Sequence, residues 1–384
     1  MTSKEAAIDD ISGVMPDRGV TNLRRQSLPT IDKGRIEFLD VLRGIAALFV
    51  VVQHSLQVVS PGFVHFADNY INSGEVGVVI FFIVSGFIIP VSLEKYNSLA
   101  RFWLGRLLRL WPVYIASLLC AVAIDFFVHE LPAYYRAHPA MFILGNLTMF
   151  QEYLRIPFAI RAYWTLSLEL VFYVLCSIIF LIGSLGRTRF WLALSALSLL
   201  VAQIGFALAF HRSLPAGRMG LIVTALFGTL LFRELKQEPS RKVIGTALVG
   251  VFLCFTVCFW IRFDLYPSIP GSSSPTVAPV NATCALASWM FAYLLFLGIL
   301  ALRRRTFPRI FIWVGQISYP LYVFHGLVLA VIPRHLPPLV QLAAVLAASL
   351  PIAHVVHILI EKPVGRFQHK LLRHSAIVVG PNPH

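Results

Sequence analysis

Ten stretches of about 20 mostly apolar residues recur along this chain, at 36–59, 75–93, 108–128, 163–183, 190–210, 217–235, 242–262, 283–302, 309–332 and 338–360. A helix rises 1.5 Å per residue and a bilayer's hydrocarbon core is about 30 Å thick, so each stretch is long enough to cross. Backbone in lipid must satisfy its own hydrogen bonds, which leaves helices for segments of this character. The expected fold is therefore all-α: a polytopic membrane protein of about ten transmembrane helices. Composition agrees, with 58% hydrophobic and 13% charged residues and a mean hydropathy of +0.76. The formal charge of +14 raises the question of nucleic acid. Loops that fix membrane orientation account for that excess, so the lipid bilayer is the expected partner and no nucleic acid is called for.

Arginine and lysine set the direction of each span. Lys95, Arg101, Arg106, Arg187, Arg189, Arg233, Lys236, Arg241, Lys242 and Arg303–Arg305 fall on one side, with Lys362, Arg366, Lys370 and Arg373. Residues 60–74 and 263–282 on the other side contain neither lysine nor arginine. The positive-inside rule then puts both termini in the cytoplasm. Residues 129–162 are the exception on the outer side, carrying Arg136, Arg155 and Arg161. Within them Met141–Phe150 is apolar but too short to span, and reads as an interfacial segment. The 263–282 loop, rich in proline, glycine and serine, reads as flexible. Met1–Lys33 lacks the apolar core of a signal peptide. The division expected is a disordered cytoplasmic tail at 1–34, a transmembrane domain at 35–370 and a second disordered tail at 371–384, with no fused soluble domain. The five cysteines lack metal-ligand spacing and read as packing residues, and no metal is called for.

Chemistry concentrates where ionisable groups enter the apolar stretches. The first span, IEFLDVLRGIAALFVVVQHS at 36–55, holds Asp40, Arg43 and His54. A charge at the centre of a spanning helix costs on the order of 3 kcal/mol, which makes a functional site the default reading. Arg43 and His54 are 54 − 43 = 11 residues apart, hence on nearly one face and roughly 16 Å apart along the axis. Asp40, one turn below Arg43, reads as structural support for that arginine. Arg106 and Arg109 share a face at the inner end of the third span. They suit either snorkelling to head groups or, with Arg101, gripping phosphates. Gly74, Gly77, Ser85 and Gly86 suit close helix packing, and Pro90 a bend or stop that opens a passage.

Glu169, in YWTLSLELVFY at 163–173, lies about six residues below the outer surface, and His54 lies about five below it. Two ionisable groups at one depth suggest a proton-transferring pair in which the carboxylate orients the imidazole. A purely structural hydrogen bond between them is the alternative. Ser318, Tyr322 and His325 recur at helical spacing in VGQISYPLYVFHGLVL at 314–329. Histidines on apolar helices are often satisfied by a neighbour, and Glu361 has Lys362 or a loop arginine as ready partners.

In order along the chain, LDVLRGIAALFVVVQH, FFIVSGFII, Arg106-x-x-Arg109 followed by WPVY, WTLSLELVFY, GQISYPLYVFH and Glu361-x-Pro363 resemble acyltransferase family 3. That family consists of multipass enzymes acylating hydroxyls of bacterial surface polysaccharides, oligosaccharides and some small molecules. The likeness runs from Arg35 to Phe367, with Thr165 standing where serine is usual. It implies O-acetyl transfer from acetyl-CoA or another acyl-CoA to a carbohydrate acceptor, lipid-linked or free, in a multi-pass protein of a bacterial inner membrane. The donor would lie on Arg106, Arg109 and Arg101. Arg43 and His54 would be catalytic, with His54 as general base or transient acyl carrier and Glu169 fixing its tautomer. Ser85, Trp164, Tyr322 and His325 would line the substrate path. The rival class is a proton-coupled secondary transporter in which His54 and Glu169 form a relay, but no internal repeat supports it.

Overall fold

A computed structural model describes residues 37–236, 240–266 and 281–378. The expected tail at 1–34 and most of the 263–282 loop lie outside these residues. Every regular element among them is helical. Among the described residues nine helices are long and apolar enough to cross a membrane, and one bent pair brings the number to ten.

The bundle is built around α3 (Ser73–Tyr96), whose apolar window is 72% buried within the protein. It lies between α1 (Glu37–Gln57) and α9 (Ala216–Lys236). Glycine makes that close approach possible, since a Cβ on Gly86 would run into the backbone of Ala225 and one on Gly228 into the backbone of Ile83. The helix does not stop at Pro90 as its sequence suggests but continues to Tyr96. At the periphery, α8 (Thr188–Phe210) has only 22% of its window buried. Leu197, Val201 and Leu208 on it are exposed, as lipid-facing side chains of a spanning helix should be. α10 (Arg241–Phe259) presents Val249 and Leu253 outward in the same way.

The ninth span is not the single helix expected over 309–332. α12 (Arg309–Gln316) and α13 (Ser318–Val331) meet at Ile317 with a bend of 70°. Pro320, in the first turn of α13, has no N–H with which to continue the ladder to Gln316, so the helix breaks just ahead of it. The Ser318 hydroxyl donates to the Gly315 carbonyl at 2.7 Å and closes the corner. α12 packs on α1, where a Cβ on Gly315 would meet the Asp40 carbonyl.

Two other boundaries also differ from the sequence reading. The third span starts nine residues earlier than 108, because α4 (Leu99–Val128) is capped by Ser98, whose hydroxyl accepts from the Arg101 N–H. The last span, α14 (Pro338–Val356), passes through a π-helical turn at His357–Glu361 into α15 (Lys362–Val378). Residues 371–378, expected in a disordered tail, therefore continue a helix.

On the outer side α5 (Ala133–Ala137) and α6 (Pro139–Leu147) are short helices, as a non-spanning segment requires. Asn146 fastens the segment that follows: its amide donates to the Pro157 carbonyl at 3.1 Å and its oxygen accepts from the Ala159 N–H at 3.1 Å. The chain then enters the bundle as α7 (Tyr163–Leu181). The five cysteines are all free thiols.

Candidate active site: two cavities joined by the first helix

α1 carries Arg43 to one cavity and His54 to another, so its two ionisable residues serve different compartments. With the orientation set by the loop charges, the Arg43 cavity lies toward the cytoplasmic half and the His54 cavity opens to the outer side. The inner cavity is narrow, about 90 Å³. The outer one is about 1040 Å³, wide enough for a bulky solute.

Arg43, Arg106 and Arg109 line the inner cavity, with Glu169 as the carboxylate among its lining residues. Arg106 does not snorkel. It is 8% exposed, donates to the Ser92 hydroxyl at 2.8 Å, and lies over the rings of Phe102 at 5.5 Å and Tyr173 at 5.7 Å. Glu169 accepts from the Ser85 hydroxyl at 3.0 Å and from the Tyr173 hydroxyl at 2.6 Å. Asp40, Glu361 and Glu169 are the carboxylates whose charges bear on Arg43. Asp40, 7% exposed, is thus placed to support that arginine electrostatically. Arg101, one turn or more before Arg106 on α4, is not among the lining residues. Three guanidiniums around so small a space give it a surplus of positive charge that favours an anion.

The outer cavity holds the imidazole pair. His54 Nδ1 lies 2.9 Å from His325 Nε2, with ring centroids 5.1 Å apart. His325 is fully buried, and its Nδ1 lies 2.7 Å from the Tyr322 carbonyl oxygen. A carbonyl only accepts, so His325 Nδ1 carries the proton. The neutral ring then has Nε2 as its acceptor, which fixes His54 Nδ1 as the donor between them. Nε2 of half-buried His54 is left with a lone pair, available to the cavity that His54 lines.

This arrangement corrects two expectations, the partner of His54 and that of Glu361. His54 does not pair with Glu169: equal depth on two helices does not fix which way each faces, and the two residues line different cavities. His325, expected on the substrate path, borders the outer cavity, with its Nε2 engaged by His54 and its Nδ1 by the Tyr322 carbonyl. Glu361 pairs with His357 inside the π-helical turn, Nδ1 to Oε2 at 2.6 Å, instead of with Lys362 or a loop arginine.

The wall between the cavities is polar at its centre. Tyr322 and Thr165 line the inner side and Ala162 the outer. The Tyr322 and Thr165 hydroxyls are 2.6 Å apart, so one donates to the other, and the Ala162 carbonyl, 3.2 and 3.0 Å from the two oxygens, accepts from the hydroxyl whose proton remains. Phe81 packs its ring edge-on to Tyr322 at 5.4 Å. Ser85 and Tyr322, both expected on the substrate path, therefore border the inner cavity. Trp164 borders neither cavity, but Arg218 of the outer one lies over its ring at 5.3 Å. Thr165, Tyr173 and Tyr319 are inner-cavity residues that sequence reasoning did not single out. Their signal was weak, since tyrosine and threonine on apolar helices are common packing residues.

The sequence profile of the acyltransferase-domain family matches residues 36–358, most of the chain. Among characterised proteins, the chain is similar to peptidoglycan O-acetyltransferase OatA of Listeria monocytogenes, with 23% identity over 90% of this chain and 57% of that protein. It is likewise similar to acyltransferase MdmB of Streptomyces mycarofaciens, at 22% identity over 91% of this chain and 96% of that protein. O-acetyltransferase OatA of Staphylococcus aureus is 23% identical over 85% of this chain. The chain thus spans just over half of the Listeria relative and nearly all of the Streptomyces one.

Proposed function

The chain belongs to the acyltransferase family, and we propose that it transfers a short acyl group, acetyl in the first instance, from acyl-CoA to a hydroxyl of a carbohydrate acceptor at the membrane. The observation that carries this reading is the hydrogen-bond chain from the Tyr322 carbonyl through His325 to His54, which presents an unprotonated imidazole nitrogen to a wide outer cavity. The setting is the cell membrane of a bacterium, and the printed activity of the Listeria relative makes peptidoglycan one candidate acceptor.

In this scheme the donor enters from the cytoplasm. Arg106 and Arg109 hold its anionic end, and Arg43, deeper on the same cavity, holds the arm that carries the thioester. Arg43 thus binds donor and does not share an oxyanion with His54, which faces the other cavity. The acyl end reaches His54 past the wall formed by Tyr322, Thr165 and Ala162. His54 Nε2 then takes the proton of the acceptor hydroxyl as its oxygen attacks the thioester carbonyl. The carbon–sulfur bond breaks, the thiolate leaves as coenzyme A, and the proton on His54 passes to it. Glu169, held by Ser85 and Tyr173, balances the arginines of the donor cavity and does not move a proton. The transporter reading loses its relay, because its two residues have separate partners and separate cavities.

Labelled acetyl-CoA and purified protein test the two halves separately. Arg106→Ala with Arg109→Ala should weaken donor binding by roughly tenfold or more, the loss of one charge-assisted contact. His54→Ala should leave donor binding intact and lower transfer by about 10²–10⁴-fold. Normal donor affinity in the double variant would misplace the donor site, and wild-type transfer by His54→Ala would remove the base.

A further inference from the structure

Arginines on the outer side of this chain run against the orientation rule, and four of them gather in one place. Arg155 and Arg161 come from the connection before α7, Arg218 from the first turn of α9 and Arg334 from the connection before α14, yet all line the outer cavity with His54. Three carboxylates share that cavity, and each is occupied. Glu152 pairs with Arg218, Glu130 pairs with Arg334, and the Asp125 carboxylate accepts from the Leu131 N–H at 2.7 Å. Arg155 and Arg161 are the two cations left over, and among the described residues neither forms an ion pair.

Their placement is built. Arg155 adopts φ 57°, left-handed backbone that a side chain other than glycine takes only at a cost, and Met149 at φ 59° opens the same segment. Asn146 ties that segment down on both sides of Phe158, and the Ser167 hydroxyl holds the Met149 carbonyl at 2.6 Å. Arg161 precedes Ala162, the N-cap residue of α7, whose N-terminus has no side-chain cap, so the positive end of the helix dipole adds to the potential there.

We infer that Arg155 and Arg161 form an anion-binding subsite of the outer cavity, and that it takes a carboxylate or phosphate borne by the saccharide acceptor itself. A carbohydrate seated on His54 by hydroxyl contacts alone would slide among equivalent positions. An anion fixed beside Arg161 selects the hydroxyl that meets His54 Nε2. The inference rests on the acyltransferase reading for the identity of the ligand as acceptor, and its test is one of binding without donor.

The full chain in nanodiscs of zwitterionic phosphatidylcholine is titrated with a short oligogalacturonate and its carboxyl-reduced counterpart. A phosphorylated mannose oligosaccharide and its dephosphorylated counterpart form a second pair. At least one anionic member should bind roughly tenfold or more tightly than its neutral partner, the worth of one charge-assisted pair. The Arg155→Gln, Arg161→Gln double variant should lose that preference while still binding acetyl-CoA, which shows it folded. Equal binding within both pairs, or a preference retained by the variant, overturns the subsite. Binding abolished in discs containing anionic phosphatidylglycerol assigns the arginines to lipid head groups and overturns it too. His54→Ala should keep the preference, so a failed base and a failed subsite give different results.

Discussion

A neutral imidazole has one donor and one acceptor nitrogen, so the Tyr322 carbonyl fixes more than the orientation of His325. It sets the tautomer of His325 and, through it, that of His54. His325→Phe keeps a ring in the site but removes the acceptor for His54 Nδ1, leaving His54 free to take either tautomer. Turnover should fall by about 10²-fold with the KM for acetyl-CoA unchanged, because general-base catalysis depends on the unprotonated nitrogen facing the hydroxyl. Steady-state kinetics check this, and a KM change without a kcat change would contradict it. At this scale the sequence was informative about which residues matter and poor about which ones touch. Counting residues placed His54 and Glu169 at one depth, but depth leaves the facing direction open. Glu169 is used by Ser85 and Tyr173, and the partner of His54 comes from a helix 271 residues further along the chain.

Packing at the helix level explains why the donor-side arginines stay ordered. α12 lies against α1 so closely that Gly315 touches backbone at Asp40, the residue one turn before Arg43. Gly315→Ala should destabilise the protein by roughly 1–3 kcal/mol, the usual cost of overpacking a filled interface. Thermal unfolding in detergent should show a lowered midpoint, and an unchanged midpoint would mean that α12 can move aside. Gly298, where an added Cβ meets nothing within 4 Å, is the control position. Existence and order of the spans were legible from apolar length alone, because lipid demands it. The break at Ile317 was not, since averaging hydropathy over a window hides a proline that interrupts a hydrogen bond. Extension of the last helix beyond 370 escaped for a different reason: Gly380, Pro381 and Pro383 mark the end of the chain as tail, and nothing in the residues before them fixes where that tail begins.

For the whole molecule the organising fact is two cavities on one helix, narrow and arginine-lined toward the cytoplasm, wide toward the outside. Loop charges set the expected direction, and two of the three arginines that stood as exceptions to the rule, Arg155 and Arg161, line the outer cavity. Sidedness is open to labelling in a background with the native cysteines replaced. Arg155→Cys should react with a charged, impermeant maleimide on intact cells, and Gly186→Cys, in the connection before α8, only after permeabilisation. The reverse pattern would invert the bundle. The central claim, that an acyl group passes from an inner donor to an outer acceptor with His54 as the base, is tested most directly in sealed proteoliposomes. Labelled acetyl-CoA is enclosed in the lumen and an oligosaccharide acceptor is supplied only outside. Wild-type protein should place label on the external acceptor and His54→Ala should not. Equal external product from His54→Ala, or product only when donor and acceptor share one compartment, would contradict the account.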